Sequence, residues 1–529
     1  MTFSIIVPLY KQGYKTLDKF FMHLNEQDYK KFEVILAYNS PDENTKKATQ
    51  RILKSKIVKK MTIIEVDAGY DEKLGRGNHC RAFNKGAEIA SGEYLLFLDP
   101  DVYLYPGILR EYKDAFDSSK ADFVYGDYDF DNNAGRISGR KYSEYELKCA
   151  NYISGAFPIK KSYFKGWDEN LQSLQDWDMR LNAVDAGATG FYIGRPCFTT
   201  DMPQPDGISS HSAKNWIETW SKIREKHNFP VSKIAVTSLG APMHATRTAE
   251  ILGVDTRVQS NIVNFKEHNY ETIYLLGFYP LAWQAHLGLF YKNGVIIDGE
   301  LSTKKRVIHF IGTDIFQFQH KLSWSAWKNM LQILNAEEMD FRILCECEQT
   351  QKELSELNIK ADIVPIPPTR LYDPITLPKE FTIGVYTNPT QDMYFENFMY
   401  EIADAMPDIK FKFFGTESMK GKVEDNKEWM GWVNMDEFLP TISAMVRLTV
   451  HDGLPLGPIE AMTMGRNVLT SMPLKHGLVA EYAGGEPIKE DIVEKIRQLQ
   501  EMPCNVEGAN YWKKELSHDL YKERIQKYV

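Results

Sequence analysis

The sequence predicts an α/β protein assembled from parallel sheets flanked by helices. Three observations predict it. Short apolar, β-branched runs alternate with amphipathic helical stretches along the chain. The fourth run, at 94–98, ends on Asp99-Pro100-Asp101, which delivers two carboxylates to the carboxyl end of a buried strand, where open α/β sheets bind ligands. The alternation also restarts twice, after the breaker Asn228-Phe229-Pro230 and after a proline-rich link, so the 529 residues divide into units at 1–230, 231–378 and 379–529.

In the first unit, 4–9, 32–37, 61–66 and 94–98 read as strands, with helical periodicity at 16–27 and 79–90 between them. The stretch 122–131 reads as a further strand with an acidic end, and 215–227 as an amphipathic closing helix. The second unit opens at 232–237 and continues through strands at 272–276, 306–310, 342–345 and 363–364. Pro365-Ile366-Pro367-Pro368, with Pro374 and Pro378, makes a stiff connector. Strands at 381–386, 409–414, 447–450 and 467–470 form the third unit, and 508–529 is a charged helical ending expected to pack across the middle unit.

Composition narrows the function classes. A hydrophobic share of 43% leaves ample residues for cores, and a net charge of −9 argues against a broadly polyanion-binding surface. The six cysteines (Cys80, Cys149, Cys197, Cys345, Cys347 and Cys504) lack paired metal-site spacing; Cys345-Glu346-Cys347, expected on one strand, reads as structural thiols in a reducing compartment. Met1-Thr2-Phe3 leads directly into a strand, and no apolar run reaches the roughly 18 residues that span a bilayer, so a cytoplasmic address is expected.

The chemistry begins at Asp99 and Asp101. Residues two apart in an extended chain point the same way, and Pro100 stiffens the turn. Two hard oxygen ligands so placed suit one Mn²⁺ or Mg²⁺, which can bridge a diphosphate; the plainer reading is an acidic turn after a strand.

Further motifs follow in order: Ser4-Ile5-Ile6-Val7-Pro8-Leu9-Tyr10, Gly77 to Ala87 with Arg81 and Asn84, the Asp99–Asp101 element, and Gly166-Trp167-Asp168-Glu169-Asn170-Leu171 followed by Gln175-Asp176-Trp177-Asp178. Together they resemble the family 2 glycosyltransferases of GT-A fold, over 1 to about 228. The resemblance implies a nucleotide-diphospho-sugar donor, Mn²⁺ or Mg²⁺, and inverting transfer to the hydroxyl of a saccharide or other acceptor. It places Pro8 and Tyr10 beside the base, and Arg81 and Asn84 near the nucleotide. It makes Asp99 and Asp101 the metal ligands and Asp176 the base that deprotonates the acceptor. Each role has a rival: Tyr10 as a packed aromatic, Arg81 paired with a carboxylate, Asp176 as a helix cap, Asp178 as the competing base. His211, in a Ser-rich loop, is a candidate metal ligand or simply solvated. Tyr38 and Asn39 stand where the family often has an acid at the base; Asn39 can still bond a base edge.

The second and third units resemble a family 4-like GT-B glycosyltransferase of two Rossmann-like halves, chiefly through Val450 to Val468. Glu460 matches the acid that binds the donor ribose, and Asp452 replaces the usual first Glu. Gly457 allows close backbone approach, and the helix that follows offers its N-terminus to a diphosphate. His309 and Asp314 are candidate acceptor or donor contacts. The loop from Tyr386 to Gln391 carries no basic phosphate clamp. The expectation is a glycosyltransferase with two fused modules, both active or the second only holding acceptor. Transfer onto a modified nucleic-acid base and nucleotidyl transfer are the remaining alternatives; the acidic chain and the absence of a Gly-rich basic loop after Tyr10 count against them.

Overall fold

The computed structural model describes residues 2–72, 77–131, 135–201, 216–238, 241–256, 270–277, 289–292, 295–298, 305–312, 314–315, 341–388, 392–417 and 419–529. The chain forms two units, Met1–Val231 and Ser232–Val529.

Unit 1 opens as β1 (Phe3–Leu9), α1 (Tyr14–Asn25), β2 (Phe32–Tyr38), α2 (Glu43–Leu53), β3 (Thr62–Asp67), α3 (His79–Ile89) and β4 (Tyr94–Phe97). These strands pair in parallel in the order β3-β2-β1-β4. Every residue of β1 and β4 is buried, as both faces of the sheet are covered. There follow β5 (Val102–Leu104), α4 (Ile108–Ser119), β6 (Phe123–Phe130), β7 (Gly135–Ile137), α5 (Glu144–Cys149), β8 (Ile159–Lys160), α6 (Gln175–Asp185), β9 (Gly190–Thr200) and α7 (Trp216–Lys226). The sheet extends past β4 as β8-β6-β9-β5, with β8 antiparallel to β4 and β7 hanging on β6. Strand β9 was not expected from its Gly190, Gly194 and Pro196, which read as turn residues. Gly194 takes a left-handed φ of 83°, and the pairing of β9 with β6 shifts register around it.

Unit 2 contains β10 (Ile234–Thr237), α8 (Pro242–Leu252), β11 (Asp255–Thr256), β12 (Thr272–Leu276), β13 (Leu289–Lys292), β14 (Val295–Asp298), β15 (Lys305–Phe310), β16 (Phe341–Cys345), α9 (Glu348–Glu356) and β17 (Asp362–Ile363). A parallel sheet runs β11-β10-β12-β15-β16-β17, and β13 and β14 pair apart from it. The chain continues through β18 (Thr382–Tyr386), α10 (Glu396–Ala405), β19 (Lys410–Phe414), β20 (Val423–Glu424), β21 (Lys427–Gly431), α11 (Met435–Phe438), β22 (Ala444–Arg447), α12 (Leu456–Thr463), β23 (Asn467–Thr470) and β24 (Leu478–Val479). Their sheet has the order β20-β21-β19-β18-β22-β23-β24, parallel except at β20. The short hairpin strands β25 (Tyr482–Ala483) and β26 (Glu486–Pro487) precede α13 (Lys489–Glu501), α14 (Val506–Glu515) and α15 (His518–Gln526).

Two sequence expectations are corrected here. The strand placed at 447–450 is β22 and ends at Arg447. Its buried run is Ala444-Met445-Val446, and the Thr449 hydroxyl donates to the His451 carbonyl at 2.7 Å, which ends the extended chain. Cys345 closes β16, whereas Cys347 is the N-cap residue of α9, so the two thiols do not share a strand. The 508–529 segment is helical as expected, divided into two helices because Ser517 accepts the Leu520 N–H and starts α15 afresh. As expected, the ending reaches the first sheet of its unit: the Tyr521 hydroxyl bonds that of Tyr274 at 2.9 Å, and Tyr528 donates to Asp362 at 2.7 Å.

Among the described residues, no helix is long and apolar enough to cross a membrane.

Candidate active site

A cavity of about 1040 Å³ opens in unit 1, and residues from all four sequence motifs line it. Pro8, Tyr10 and Asn39 form one wall, Asp99 and Asp101 another, and Asp176 a third.

The first wall is positioned by the sheet. The Asn39 N–H donates to the Leu9 carbonyl at 2.8 Å, continuing the β1–β2 pairing past its end. The loop after Leu9 is pinned by Thr45, whose hydroxyl donates to the Tyr10 carbonyl at 3.1 Å and accepts from the Gln12 N–H at 2.8 Å. Asn39 is 4% exposed, and its Oδ1 has no hydrogen-bond partner among the described residues. Gly77 packs against it so closely that a Cβ would stand 2.5 Å from that oxygen. A buried carbonyl oxygen without a donor is costly, and a ligand N–H would relieve it.

The carboxylate pair sits on a turn, not on extended chain as the sequence suggested. The Leu98 N–H donates to Ile6 O at 3.0 Å, and then the Val102 N–H folds back to Asp99 O at 3.0 Å. Pro100 occupies the second turn position, which its fixed φ favours. Burial raises the carboxyls of both Asp99 and Asp101, and the charge of Asp99 raises Asp101 further. Asp99 is exposed to the cavity solvent, which moderates the effect. Sequence reasoning missed Asp201. The antiparallel register Val102↔Thr200 carries it alongside Asp101, whose carboxyl its charge helps to raise. Its only sequence signal was an acid directly after a strand. Acids that hold one another up in this way suit a hard divalent cation, with diphosphate and water oxygens for the remaining positions. Among the described residues, no three His, Cys, Asp or Glu side chains converge as a complete metal cage. His211 lies outside the described residues.

Asp176 is the second residue of α6, so the cap position belongs to Leu174, in the left-handed region at φ 57°. The Asp176 carboxylate accepts the Asn151 amide at 3.1 Å and the Trp177 N–H at 2.9 Å. Burial pushes its pKa up against those hydrogen bonds and Arg180. Gly155 lets the site close: a Cβ there would lie 2.8 Å from Trp167 and 2.9 Å from the Asp176 Cβ. The rival Asp178 is fully buried and engaged by Lys226, His227 at 3.1 Å and Asn182 at 3.0 Å.

Arg81 and Asn84 lie outside the cavity lining. Arg81 donates to Glu169 at 3.0 Å, Asp71 at 3.2 Å and Tyr70 O at 3.1 Å. Asn84 exchanges hydrogen bonds with the Trp167 backbone at 2.8 and 2.9 Å and donates to Glu169. They clamp the Trp167–Glu169 motif onto α3, and Lys11 is the lining Lys or Arg among the described residues.

In unit 2, His309 is fully buried, bonded through Nδ1 to the Tyr274 hydroxyl at 2.6 Å, and burial pulls its pKa to about 3. Asp314 is buried and accepts the Ile311 and Ile315 N–H groups. Neither faces open solvent. Asp452 is taken by Arg447 Nε at 2.6 Å. Gly457 lies in the first turn of α12, where a Cβ would meet only Met445 Sδ, at 3.9 Å. Glu460, half-buried on the same helix, is raised to about 7 by burial and held down by Arg247. Glu346, unforeseen between its two cysteines, is buried and raised to about 8.

The family described as Glycosyl transferase family 2 matches residues 4–169, about a third of the chain, so unit 1 carries a glycosyltransferase domain. No curated protein matches the chain. Among solved structures, residues 1–349 of TarS from S. aureus are 16% identical with a TM-score of 0.32, covering 43% of this chain and 65% of that one, just under two-thirds of its length. The pneumococcal O-GlcNAc transferase GtfA, in complex with UDP and GlcNAc, is 13% identical with a TM-score of 0.37, covering 50% of this chain and 58% of that one. Sucrose-phosphate synthase from Thermosynechococcus elongatus is 12% identical with a TM-score of 0.40, covering 50% and 74%.

Proposed function

We propose that the chain is a glycosyltransferase whose unit 1 moves a sugar from a nucleotide-diphospho-sugar to an acceptor hydroxyl, with Mn²⁺ or Mg²⁺ and inversion at the anomeric carbon. One observation carries this reading: Asp99, Asp101 and Asp176 line the same cavity as the Pro8–Tyr10–Asn39 wall.

The wall orients the donor. The Oδ1 of Asn39 accepts an N–H from the base edge, beside the Tyr10 ring. Asp99 and Asp101 would hold the divalent cation, which, when bound, offsets the negative charge growing on the departing diphosphate. Asp176 takes the proton of the acceptor hydroxyl as that oxygen attacks the anomeric carbon. Its pKa, raised by burial, makes the ionised carboxyl a stronger base than an ordinary Asp. Attack from the face opposite the diphosphate inverts the centre in one displacement. Aromatic residues such as Tyr128 and Trp167 line the cavity, and their ring edges suit an acceptor saccharide.

For unit 2 the reading is a GT-B module, its two parallel sheets corresponding to two Rossmann-like halves and Glu460 to the ribose-binding acid. A non-catalytic, acceptor-holding version of that module is favoured by the Arg447–Asp452 pair and the burial of His309 and Asp314. Nucleic-acid bases rank low as acceptors because of the net charge of −9.

The test is a donor panel of UDP-, GDP- and ADP-sugars incubated with the purified chain, reading nucleoside diphosphate release with and without simple saccharide acceptors. Release from at least one donor is expected. A chain inert towards the whole panel, yet folded, contradicts the reading.

A further inference from the structure

Unit 2 holds a cation whose hydrogen bonding is incomplete. Arg247, on α8, donates Nη2–H to His244 Nδ1 at 3.0 Å. Burial and the Arg247 charge pull His244 down to about 4, so its ring is neutral and Nδ1 is free to accept. The Arg247 Nε, by contrast, is buried and has no hydrogen-bond partner among the described residues. Native proteins seldom leave a buried charged donor unmet. The residue as a whole keeps some exposure.

The surroundings favour an anion over another protein group. The charges of Glu346 and Glu460 act on Arg247, yet no direct ion pair forms with either. Burial leaves both carboxyls reluctant to ionise, so they neutralise Arg247 incompletely. Arg447, at the end of β22, is already occupied: it bonds Asp452, with the Tyr386 and Tyr394 rings 4.9 and 5.4 Å away. The loop from Tyr386 to Gln391 contains no Lys or Arg.

We propose that Arg247 is the phosphate anchor of unit 2, donating through Nε to the diphosphate of a nucleoside diphosphate while Glu460 accepts hydroxyls of the same ligand. This rests on the reading of unit 2 as a nucleotide-sugar module. The anchor thus comes from α8 of the first sheet, not from the loop after β18. A guanidinium fork suits phosphate oxygens, and an ammonium at the same place satisfies them only as a point charge.

The test titrates pyrophosphate, UDP and GDP calorimetrically into the full chain carrying Asn39→Ala and Asp99→Ala, in excess chelator, so that unit 1 loses both its base contact and its cation site. One binding event is expected. Arg247→Gln weakens it about 10- to 100-fold, the range for losing hydrogen bonds to a charged group, and Arg247→Lys weakens it less. Hydrogen exchange on the unsubstituted protein needs no variant: pyrophosphate is expected to slow exchange over Pro242–Leu252. Binding of UDP or GDP that is indifferent to Arg247→Gln overturns the anchor and leaves the module reading standing. Pyrophosphate binding that depends on Arg247 without any preference for UDP or GDP supports the anchor and sinks the module reading. No binding by any probe, with no protection of that helix, overturns both.

Discussion

Asp176→Asn isolates the chemical step in unit 1. The side chain is nearly isosteric, and the Asp176 oxygen that accepts Asn151 at 3.1 Å and the Trp177 N–H at 2.9 Å is kept as an amide carbonyl. The fold therefore loses little, on the order of 1 kcal/mol or less. What disappears is the proton acceptor at the cavity wall. A positioned general base contributes about 10²- to 10⁴-fold, so kcat is expected to fall by that factor, about 3–5 kcal/mol in barrier. Donor affinity is expected to stay within about twofold, because the proposed role of Asp176 is towards the acceptor. The assay is steady-state nucleoside diphosphate release at saturating donor and acceptor, with donor binding measured separately. The pH profile adds a second readout. Burial raises the Asp176 pKa, and only the ionised carboxyl can accept a proton, so kcat of the unsubstituted enzyme rises with pH through that value. The limb is absent in Asp176→Asn. A variant that keeps kcat within threefold, or retains the limb, refutes the assignment.

Other outcomes follow from the same geometry. Gly155→Ala places a Cβ against Trp167 and Asp176 and is expected to lower kcat at least tenfold while destabilising unit 1 by about 1–3 kcal/mol, read by kinetics and denaturant unfolding; unchanged kcat contradicts the close packing. His227 is pulled down by burial, but Asp178 and Asp185 outweigh that and raise it. Its stabilising share is therefore full below the ordinary histidine value of about 6.5 and is lost as pH rises through the raised value. His227→Gln should lower the thermal midpoint more at pH 6 than at pH 9; an equal loss at both contradicts the ion-pair account. Arg81→Gln is expected to loosen the clamp on Glu169, seen as faster hydrogen exchange around Trp167, with donor affinity changed less than by Asn39→Ala.

How much of this was legible in the sequence depended on how far apart the interacting residues lie. The strands β1, β2 and β4 announce themselves because burial on both faces demands unbroken apolar runs. β9 does not, since its bulge needs Gly194 and Pro196, which locally read as loop. The carboxylate pair and Asp176 stand in ordered motifs, and the structure places all three on the cavity lining. Asp201 joins them only through a strand register linking residues about a hundred positions apart, which no local pattern encodes. Arg81 and Asn84 carried the right residue types, and only packing reveals that Glu169 and Trp167 claim their hydrogen bonds. Arg247 and Glu346 look like ordinary helix and loop residues until α8 and the end of β16 bring their charges together.

The central claim is that carboxylates on the Asp99–Asp101 turn make sugar release depend on a divalent cation. It is tested most directly by stripping the purified chain with chelator, titrating Mn²⁺ back, and following release from its preferred donor beside Asp99→Asn and Asp101→Asn. The account predicts loss of turnover on stripping, saturable recovery in the unsubstituted chain, and little or none in either variant. Full turnover in excess chelator, or variants that recover as the unsubstituted chain does, would contradict it.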